Sequence, residues 1–331
     1  MSPARGRQPR PRPPTPPRAT AIAAGVLTLL ALFAPAACTP QAARTARGDP
    51  LAAAPRVELA TRSAAALPAD LVGPYFYVEA RATSGPESAP VTLILDTGAQ
   101  QTVIDAAAAG RLFPGRVRPS QIRVVSADGL RADTAGVLTL DTLDAGPVRA
   151  EGVTALIVDL GPVLGELRRQ TGRRAHGLLG WDVLSALALE LDYPARRARV
   201  EPSPASPAPN AQALIAAPLP TVEIDMPDGR RRFTIDTGAA AALQMPVIRR
   251  LPLRSPPARL GDAQSITGVT PAVGARLRGS IRFGGATIAD PMVERTNGQA
   301  RLGAGLLNRG VLTIDPAAGR VRFEVTQPSA P

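Results

Sequence analysis

The sequence VTLILDTGA at residues 91–99 returns as RFTIDTGA at residues 232–239. In both places a short apolar run rich in β-branched residues leads into the same four residues, Asp-Thr-Gly-Ala. Such runs are typical of buried strands, and the glycine that follows indicates a tight turn. The sequence therefore predicts two strand ends that each carry an aspartate, Asp96 and Asp236, in a turn.

A second motif follows the first one in each half. Leu179-Gly180 precedes the strand-like run LELDYP at residues 189–194, and Leu302-Gly303 precedes LTIDP at residues 312–316. Because the two motifs recur in the same order, and only twice, they indicate duplication of a domain-sized unit and not a solenoid of short repeats.

Proline-rich and signal-like segments divide the rest of the chain. Residues 201–210 read EPSPASPAPN, a stiff and extended linker, because alternating prolines suit neither a helix interior nor a central strand. The predicted divisions are a signal peptide at 1–37, a disordered tether at 38–68, a first lobe at 69–201, a linker at 202–210, a second lobe at 211–326 and a tail at 327–331.

The N-terminus has the order of a secretory signal. A basic start is followed by an apolar run at residues 19–33 and then by small residues, which predicts export to the periplasm or envelope. Ala34-Pro35-Ala36 fits ordinary cleavage, whereas Ala36-Ala37-Cys38 resembles a lipobox in which Cys38 would carry a lipid anchor, although Pro35 stands where leucine is usual. Both routes stay open, as does an uncleaved anchor helix.

Composition excludes several classes of chemistry. The 331 residues include 38 basic and 27 acidic ones, for a net charge of +11, but no lysine and only 3% aromatic residues. This pattern argues against a nucleic-acid partner. One cysteine, Cys38, and one histidine, His176, exclude a zinc site built from Cys and His clusters and an intrachain disulfide. We therefore expect no metal and no cofactor.

Secondary structure is predicted to be almost entirely β. Helical patterns are convincing only at residues 181–187 and 306–309, after the two Leu-Gly motifs. Asp96 to Gly180 spans 84 positions and Asp236 to Gly303 spans 67, so the first lobe carries an insertion, placed near residues 159–174.

Two buried aspartates that meet at a seam suggest a particular chemistry. If the halves pack about a pseudo-two-fold axis, Asp96 and Asp236 come together, and like charges at that distance cannot both ionise. One carboxylate can then act as a general base on water while the other donates a proton to the carbonyl under attack. That is hydrolysis of an amide without a metal.

The doubled Asp-Thr-Gly-Ala motif with its apolar-Gly partner resembles the retropepsin-like aspartic proteases, over about residues 70–326. The resemblance implies an all-β fold of two retropepsin-like β-barrel lobes related by pseudo-two-fold symmetry, in a pepsin-like bilobal arrangement with few short helices. It implies Asp96 and Asp236 as the catalytic dyad. The supporting loop residues that it implies are Thr97, Gly98, Ala99, Thr237, Gly238, Ala239, Gly180 and Gly303.

The family's lobes also carry β-hairpin flaps over the substrate. The first candidate is Val124 to Asp133, and the second is Ala263 to Thr270. Glycine at a hairpin tip is equally typical of a plain surface turn. The tip candidates are Ala127, Asp128, Gly129, Thr267 and Gly268.

The expected function is that of an aspartic endopeptidase acting on a peptide or protein substrate, as a monomer with an intramolecular pseudo-dimer. Two alternatives stay open. One is a catalytically inactive, peptide-binding envelope protein on the same fold. The other is a phosphotransferase of the actin-like Asp-x-Gly type, for which Thr102 supplies a hydroxyl after the first motif, whereas the second copy offers none.

Overall fold

Strands dominate the structure, a computed structural model that describes residues 26–27, 54–126, 129–203 and 210–326. Up to the linker, the elements are β1 (Val26–Leu27), β2 (Arg56–Leu59), β3 (Ala65–Ala66), β4 (Ala69–Val72), β5 (Tyr75–Ser84), β6 (Glu87–Leu95), β7 (Val103–Asp105), α1 (Ala106–Leu112), β8 (Arg123–Val125), β9 (Arg131–Asp133), β10 (Gly136–Ala145), β11 (Val148–Val158), α2 (Gly161–Thr171), β12 (Gly177–Leu179), α3 (Trp181–Leu184), β13 (Leu187–Asp192) and β14 (Arg197–Pro202).

The second lobe continues this order. Its elements are β15 (Gln212–Ala213), β16 (Thr221–Met226), β17 (Gly229–Asp236), β18 (Leu243–Met245), β19 (Ala258–Ser265), β20 (Gly268–Arg276), β21 (Ser280–Phe283), β22 (Ala286–Ala289), β23 (Met292–Arg295), β24 (Arg301–Gly303), α4 (Ala304–Leu307), β25 (Gly310–Asp315) and β26 (Arg320–Val325).

The first lobe is a closed six-stranded barrel. Its strand order is β10-β11-β7-β12-β6-β5, and β5 pairs back onto β10, where Thr83 lies opposite Thr142. Residues 91–95 of β6 are all buried, since this strand has a neighbour on both sides and packs on both faces. The β5–β6 hairpin turns at Gly85, whose φ of +60° is one that glycine adopts without strain.

The second lobe repeats the arrangement without closing it. Its strands follow the order β1-β19-β20-β23-β18-β24-β17-β16-β21-β22, a curled half-barrel that has β1 and β22 at its edges. Parallel pairs recur at matching places, because β12 runs beside β6 and β24 runs beside β17. The predicted two-lobed, all-β fold is confirmed, with one closed barrel and one open one.

A six-stranded sheet joins the two lobes. Its order is β15-β26-β25-β13-β14-β3, and β13 of the first lobe pairs antiparallel with β25 of the second. Leu189 lies opposite Ile314 in that pair, and both side chains are buried. Trp181 adds a second link, because its Nε1 donates to the carbonyl oxygen of Ala216 at 2.6 Å.

Part of the predicted tether is ordered. Residues 56–59 form β2, which pairs with β11, and residues 65–66 form β3, which pairs with β14. Leu67 is buried, and its N–H donates to Ala198 O at 3.0 Å. The prediction of disorder is therefore wrong for these residues, because they are held by the edges of sheets formed elsewhere in the chain.

The predicted insertion is a helix. Residues 161–171 form α2, with Pro162 in its first turn and Gly172 at its end in the left-handed conformation. Val163 and Leu167, four residues apart, are buried on one face. Another unpredicted helix, α1, begins after Asp105, whose carboxylate accepts from the N–H of Ala108 at 3.1 Å.

We predict that β2 and β3 stabilise the protein. A chain beginning at Leu67 should unfold at lower denaturant than one beginning at Ala54, because it loses the ladder bonds to β11 and β14. We expect a loss of roughly 3 kcal/mol at about 1 kcal/mol for each net hydrogen bond. Urea unfolding measures this difference, and equal stability of the two chains would contradict it.

Candidate functional site

The two Asp-Thr-Gly turns occupy equivalent positions at strand ends. Asp96 directly follows β6, and Asp236 is the last residue of β17. The neighbouring parallel strand holds each turn: the N–H of Asp96 donates to Leu179 O at 3.0 Å, and Asp236 lies in register with Gly303. The pairing of the two sequence motifs is thus a physical contact between adjacent strands.

The glycines of the turns bring the aspartates together across the seam. A Cβ atom placed on Gly98 would overlap the carboxyl group of Asp236, and one placed on Gly238 would overlap the carboxyl group of Asp96. Each carboxyl group therefore sits against the backbone of the other lobe's turn. Any side chain at either glycine would push the pair apart.

The threonines form a reciprocal network beneath the aspartates. The N–H of Thr97 donates to Thr237 Oγ1 at 3.0 Å, and the N–H of Thr237 donates to Thr97 Oγ1 at 3.1 Å. Each hydroxyl in turn donates across the seam, Thr97 to Ile235 O at 2.7 Å and Thr237 to Leu95 O at 2.9 Å. Four hydrogen bonds thus lock the two loops to each other.

The remaining support residues fix the first turn of each short helix. The carbonyl of Ala99 accepts from the N–H of Trp181 at 2.7 Å, and the carbonyl of Ala239 accepts from the N–H of Ala304 at 2.7 Å. A Cβ atom on Gly180 or Gly303 would overlap the backbone of these loops.

Both predicted hairpins form. In the first, β8 and β9 pair, and Gly129 lies against the second lobe, since a Cβ built on it would be 2.9 Å from Asn297 O. The tip candidates Ala127 and Asp128 lie outside the described residues.

The second hairpin pairs β19 with β20, and Thr267 and Gly268 lie at its turn. The adjacent Ile266 packs against a buried first-lobe cluster that includes Val124 and Val163. Each hairpin therefore reaches across to the opposite lobe.

The comparison with protein families agrees with this geometry. A family model described as aspartyl protease matches residues 80–183, from β5 to α3, and so includes Asp96 and Gly180. This match supports a retropepsin-like aspartyl protease family for that part of the chain. A search of curated proteins found no match.

Electrostatics at the aspartate pair favours a shared proton. Asp96 and Asp236 are fully buried. Burial raises the pKa of Asp96 well above its usual range, and the charge of Asp236 raises it further. Burial also raises the pKa of Asp236, to about 6, against the opposing effect of Arg301. The pair therefore retains a proton to higher pH than an isolated, exposed carboxyl group would.

Arg301 is a site residue that sequence reasoning missed. It is 1% exposed, and its Nε lies 3.6 Å from Asp236 Oδ2. The two repeats contain the signal, because Leu178-Leu179-Gly180 in the first lobe corresponds to Arg301-Leu302-Gly303 in the second. A charged residue in the second lobe, at a position that is apolar in the first lobe, indicates a role that only the second lobe has.

Tyr75 was also missed as a neighbour of the aspartates. It is 1% exposed, and its pKa is raised well above the usual value by burial and by the charges of Tyr77, Asp236 and Asp96. It therefore stays a neutral hydroxyl close to the pair.

The described residues contain neither a cluster of metal-ligating side chains nor a helix that could span a membrane. Within residues 54–126, 129–203 and 210–326, no three His, Cys, Asp or Glu side chains cluster in a way that could hold a metal ion. In those ranges, too, no helix has the length and apolarity to cross a bilayer. Cys38, the lipidation candidate, lies outside the described residues.

We predict that the threonine network stabilises the seam. Thr97→Val should lower the free energy of unfolding by roughly 2–4 kcal/mol, because it leaves the N–H of Thr237 and the carbonyl of Ile235 buried without partners. Thr97→Ser keeps both bonds and should cost only about 1 kcal/mol for the lost methyl group. Chemical denaturation of the two variants gives the comparison. Equal losses would show that the hydroxyl contributes nothing.

Proposed function

We propose that this protein is an aspartic endopeptidase in which Asp96 and Asp236 activate the attacking water. The observation that carries the proposal is the meeting of two fully buried carboxyl groups at the seam, each against the glycine of the opposite turn. Such a pair is costly to bury for structural purposes alone, since packing could be achieved with apolar residues. The aspartyl protease domain in the chain supports the same chemistry.

The environments of the two carboxyl groups suggest different roles. Arg301 favours the ionised form of Asp236, whereas the pKa of Asp96 is the more strongly raised. We therefore assign Asp236 as the general base and Asp96 as the proton donor. Widely separated pKa values within a carboxylate pair are what acid–base division of labour requires.

The reaction then balances without a metal. Asp236 takes a proton from water while the water oxygen bonds to the peptide carbonyl carbon, and Asp96 gives its proton to the carbonyl oxygen. The tetrahedral gem-diol collapses when Asp236 returns a proton to the amide nitrogen, the C–N bond breaks, and a hydroxyl proton returns to Asp96. Both carboxyl groups finish in their starting states.

We also propose that the protein acts outside the cytoplasm as a monomer. The signal-like order of residues 1–37 supports export, and Cys38 offers a lipid anchor in the membrane if the lipobox route is used. Because both Asp-Thr-Gly turns lie in one chain, a complete pair needs no second copy. The physiological partner in this proposal is a peptide or protein substrate.

Substitution of either aspartate should abolish turnover. Asp96→Asn and Asp236→Asn should each lower kcat on a peptide library by roughly 10²- to 10⁴-fold, since each removes a proton-transfer group. Asp182→Asn is the matched control, because Asp182 is also buried but accepts a hydrogen bond from Thr102 at 2.8 Å, away from the pair.

The same assay separates the alternatives. A statine-type inhibitor should block cleavage, and a chelator should leave it unchanged. Peptide binding without cleavage in the unmodified protein would favour the peptide-binding alternative, and a requirement for Mg²⁺ would favour the phosphotransferase.

The pH profile should report the pKa of Asp236. Below about 6 both carboxyl groups of the free protein are protonated and no base is present, so kcat/KM should rise as pH increases through that value. Arg301→Met removes a charge that lowers this pKa, so the acid limb should move to higher pH. Arg301→Lys keeps the charge and should keep the limb in place. An unmoved limb in Arg301→Met would contradict the assigned role of Arg301.

A further inference from the structure

A cavity of about 220 Å³ lies between the two hairpins on the second-lobe side of the cleft. Leu130 from the first hairpin and Ala263 and Ala272 from the second give it an apolar rim. Gln244 and Glu294 belong to its lining on strands β18 and β23. The cavity is therefore bounded by both hairpins and by two strands of the second lobe.

The strand register relates this cavity to an equivalent place in the first lobe. In the first lobe β7 lies between β11 and β12, and in the second lobe β18 lies between β23 and β24. Residues in register across three such strands share one face of the sheet. The matching rows are Leu156–Val103–Leu178 in the first lobe and Glu294–Gln244–Arg301 in the second. The first row is entirely apolar and buried, whereas the second carries an acid at one end and a base at the other.

Glu294 has no partner for its charge among the described residues. Glu294 is 5% exposed. Among the described residues its carboxylate makes no hydrogen bond and has no cation within 4.0 Å. Its neighbour Arg295 also lines the cavity, but strand alternation directs its exposed side chain to the other face of β23, and it forms no ion pair with Glu294 within 4.0 Å. Arg301 lies two strands away, roughly 9–10 Å, and contacts Asp236. Burial alone raises the pKa of Glu294 to about 7, with no opposing charge.

We propose that this cavity is a specificity pocket for a lysine or arginine side chain of the peptide substrate, with Glu294 as the residue that recognises the charge. The proposal rests on the proposed endopeptidase function, and it names the substrate class that this function has left open. Glu294 is a specificity-determining residue and takes no part in the bond-breaking step.

The pocket matches both parts of such a side chain. Lysine and arginine combine an apolar stem with a charged end, so the stem can lie along Leu130, Ala263 and Ala272 while the end reaches Glu294. A buried carboxylate that lacks a partner gains most from a cation, because the pair then offsets the desolvation of both groups. Since Glu294 lies two strands from Arg301, and an extended peptide rises about 3.3 Å per residue, the recognised position should be within about three residues of the scissile bond.

The test compares N-acetylated peptides that differ at one position, arginine against citrulline and lysine against norleucine. For the unmodified protein, kcat/KM should favour the basic peptide on the order of 10- to 100-fold, the value of a charge-assisted hydrogen bond. Glu294→Gln should reduce that ratio to near 1. Glu324→Gln, at an exposed position of strand β26, removes the same charge elsewhere and should leave the ratio unchanged.

Binding to the Asp96→Asn variant, followed by fluorescence anisotropy, separates this inference from the proposed function. If nothing is cleaved but the basic peptide binds more tightly and Glu294→Gln abolishes the difference, the pocket stands and the endopeptidase proposal fails. If the unmodified protein cleaves peptides with no preference for a basic residue at any position, the pocket proposal is overturned and the endopeptidase proposal stands. That result is obtained with the unmodified protein, so the pocket proposal can be overturned even if Glu294→Gln folds poorly.

Discussion

The burial of Asp96 against Asp236 is the constraint on which the rest of the structure depends. Removing a carboxylate from water costs several kcal/mol, and two adjacent ones repel each other, so the pair is tolerable only with one proton retained and with polar groups directed at the remaining charge. The N–H of Gly98, 2.9 Å from Asp96 Oδ1, is one such group, and Arg301 beside Asp236 is another. Glycine permits the close approach, and the threonine network fixes the loops that make it. Each residue of the Asp-Thr-Gly turn therefore answers a separate physical requirement.

The doubled turn was sufficient to predict the fold and to single out the central aspartates, because an apolar run ending in Asp-Thr-Gly is a local signal and its recurrence implies a symmetric partner. Strands β2 and β3 could not be predicted from sequence, because they carry no local signal. They are four and two residues long and exist only because β11 and β14 offer them an edge. Helix α2 was hidden by Gly161 and Gly165, although Val163 and Leu167 preserve its spacing. Glu294 could not be identified from sequence, because its position in register with Gln244 and Arg301 depends on the pairing of strands that are far apart along the chain.

The two lobes have kept one topology and diverged in what they present to the cleft. In the first lobe, Leu156, Val103 and Leu178 belong to a continuous buried cluster that also includes Val163 and Leu167 of α2. In the second lobe, the equivalent positions are charged or polar, and the sheet stays open. An apolar row stabilises its lobe by burial, whereas a row of ionisable residues costs stability unless a ligand or a neighbour compensates it. The asymmetry is therefore better explained by recognition than by packing.

Substrate entry must be reconciled with the rigidity that the aspartate pair demands. The six-stranded sheet joins β13 to β25 across the lobes, and a hinge there would separate the carboxyl groups and break the threonine bonds at the same time. The first hairpin is under no such restriction, whereas β20 of the second pairs with β23 of the lobe's sheet. The first has strands of three residues each, and among the described strands β8 and β9 pair only with each other. Segments with few ladder bonds open at lower free energy than core strands. We infer that the first hairpin moves to admit a peptide while the lobes, and Glu294 on β23 with them, stay fixed.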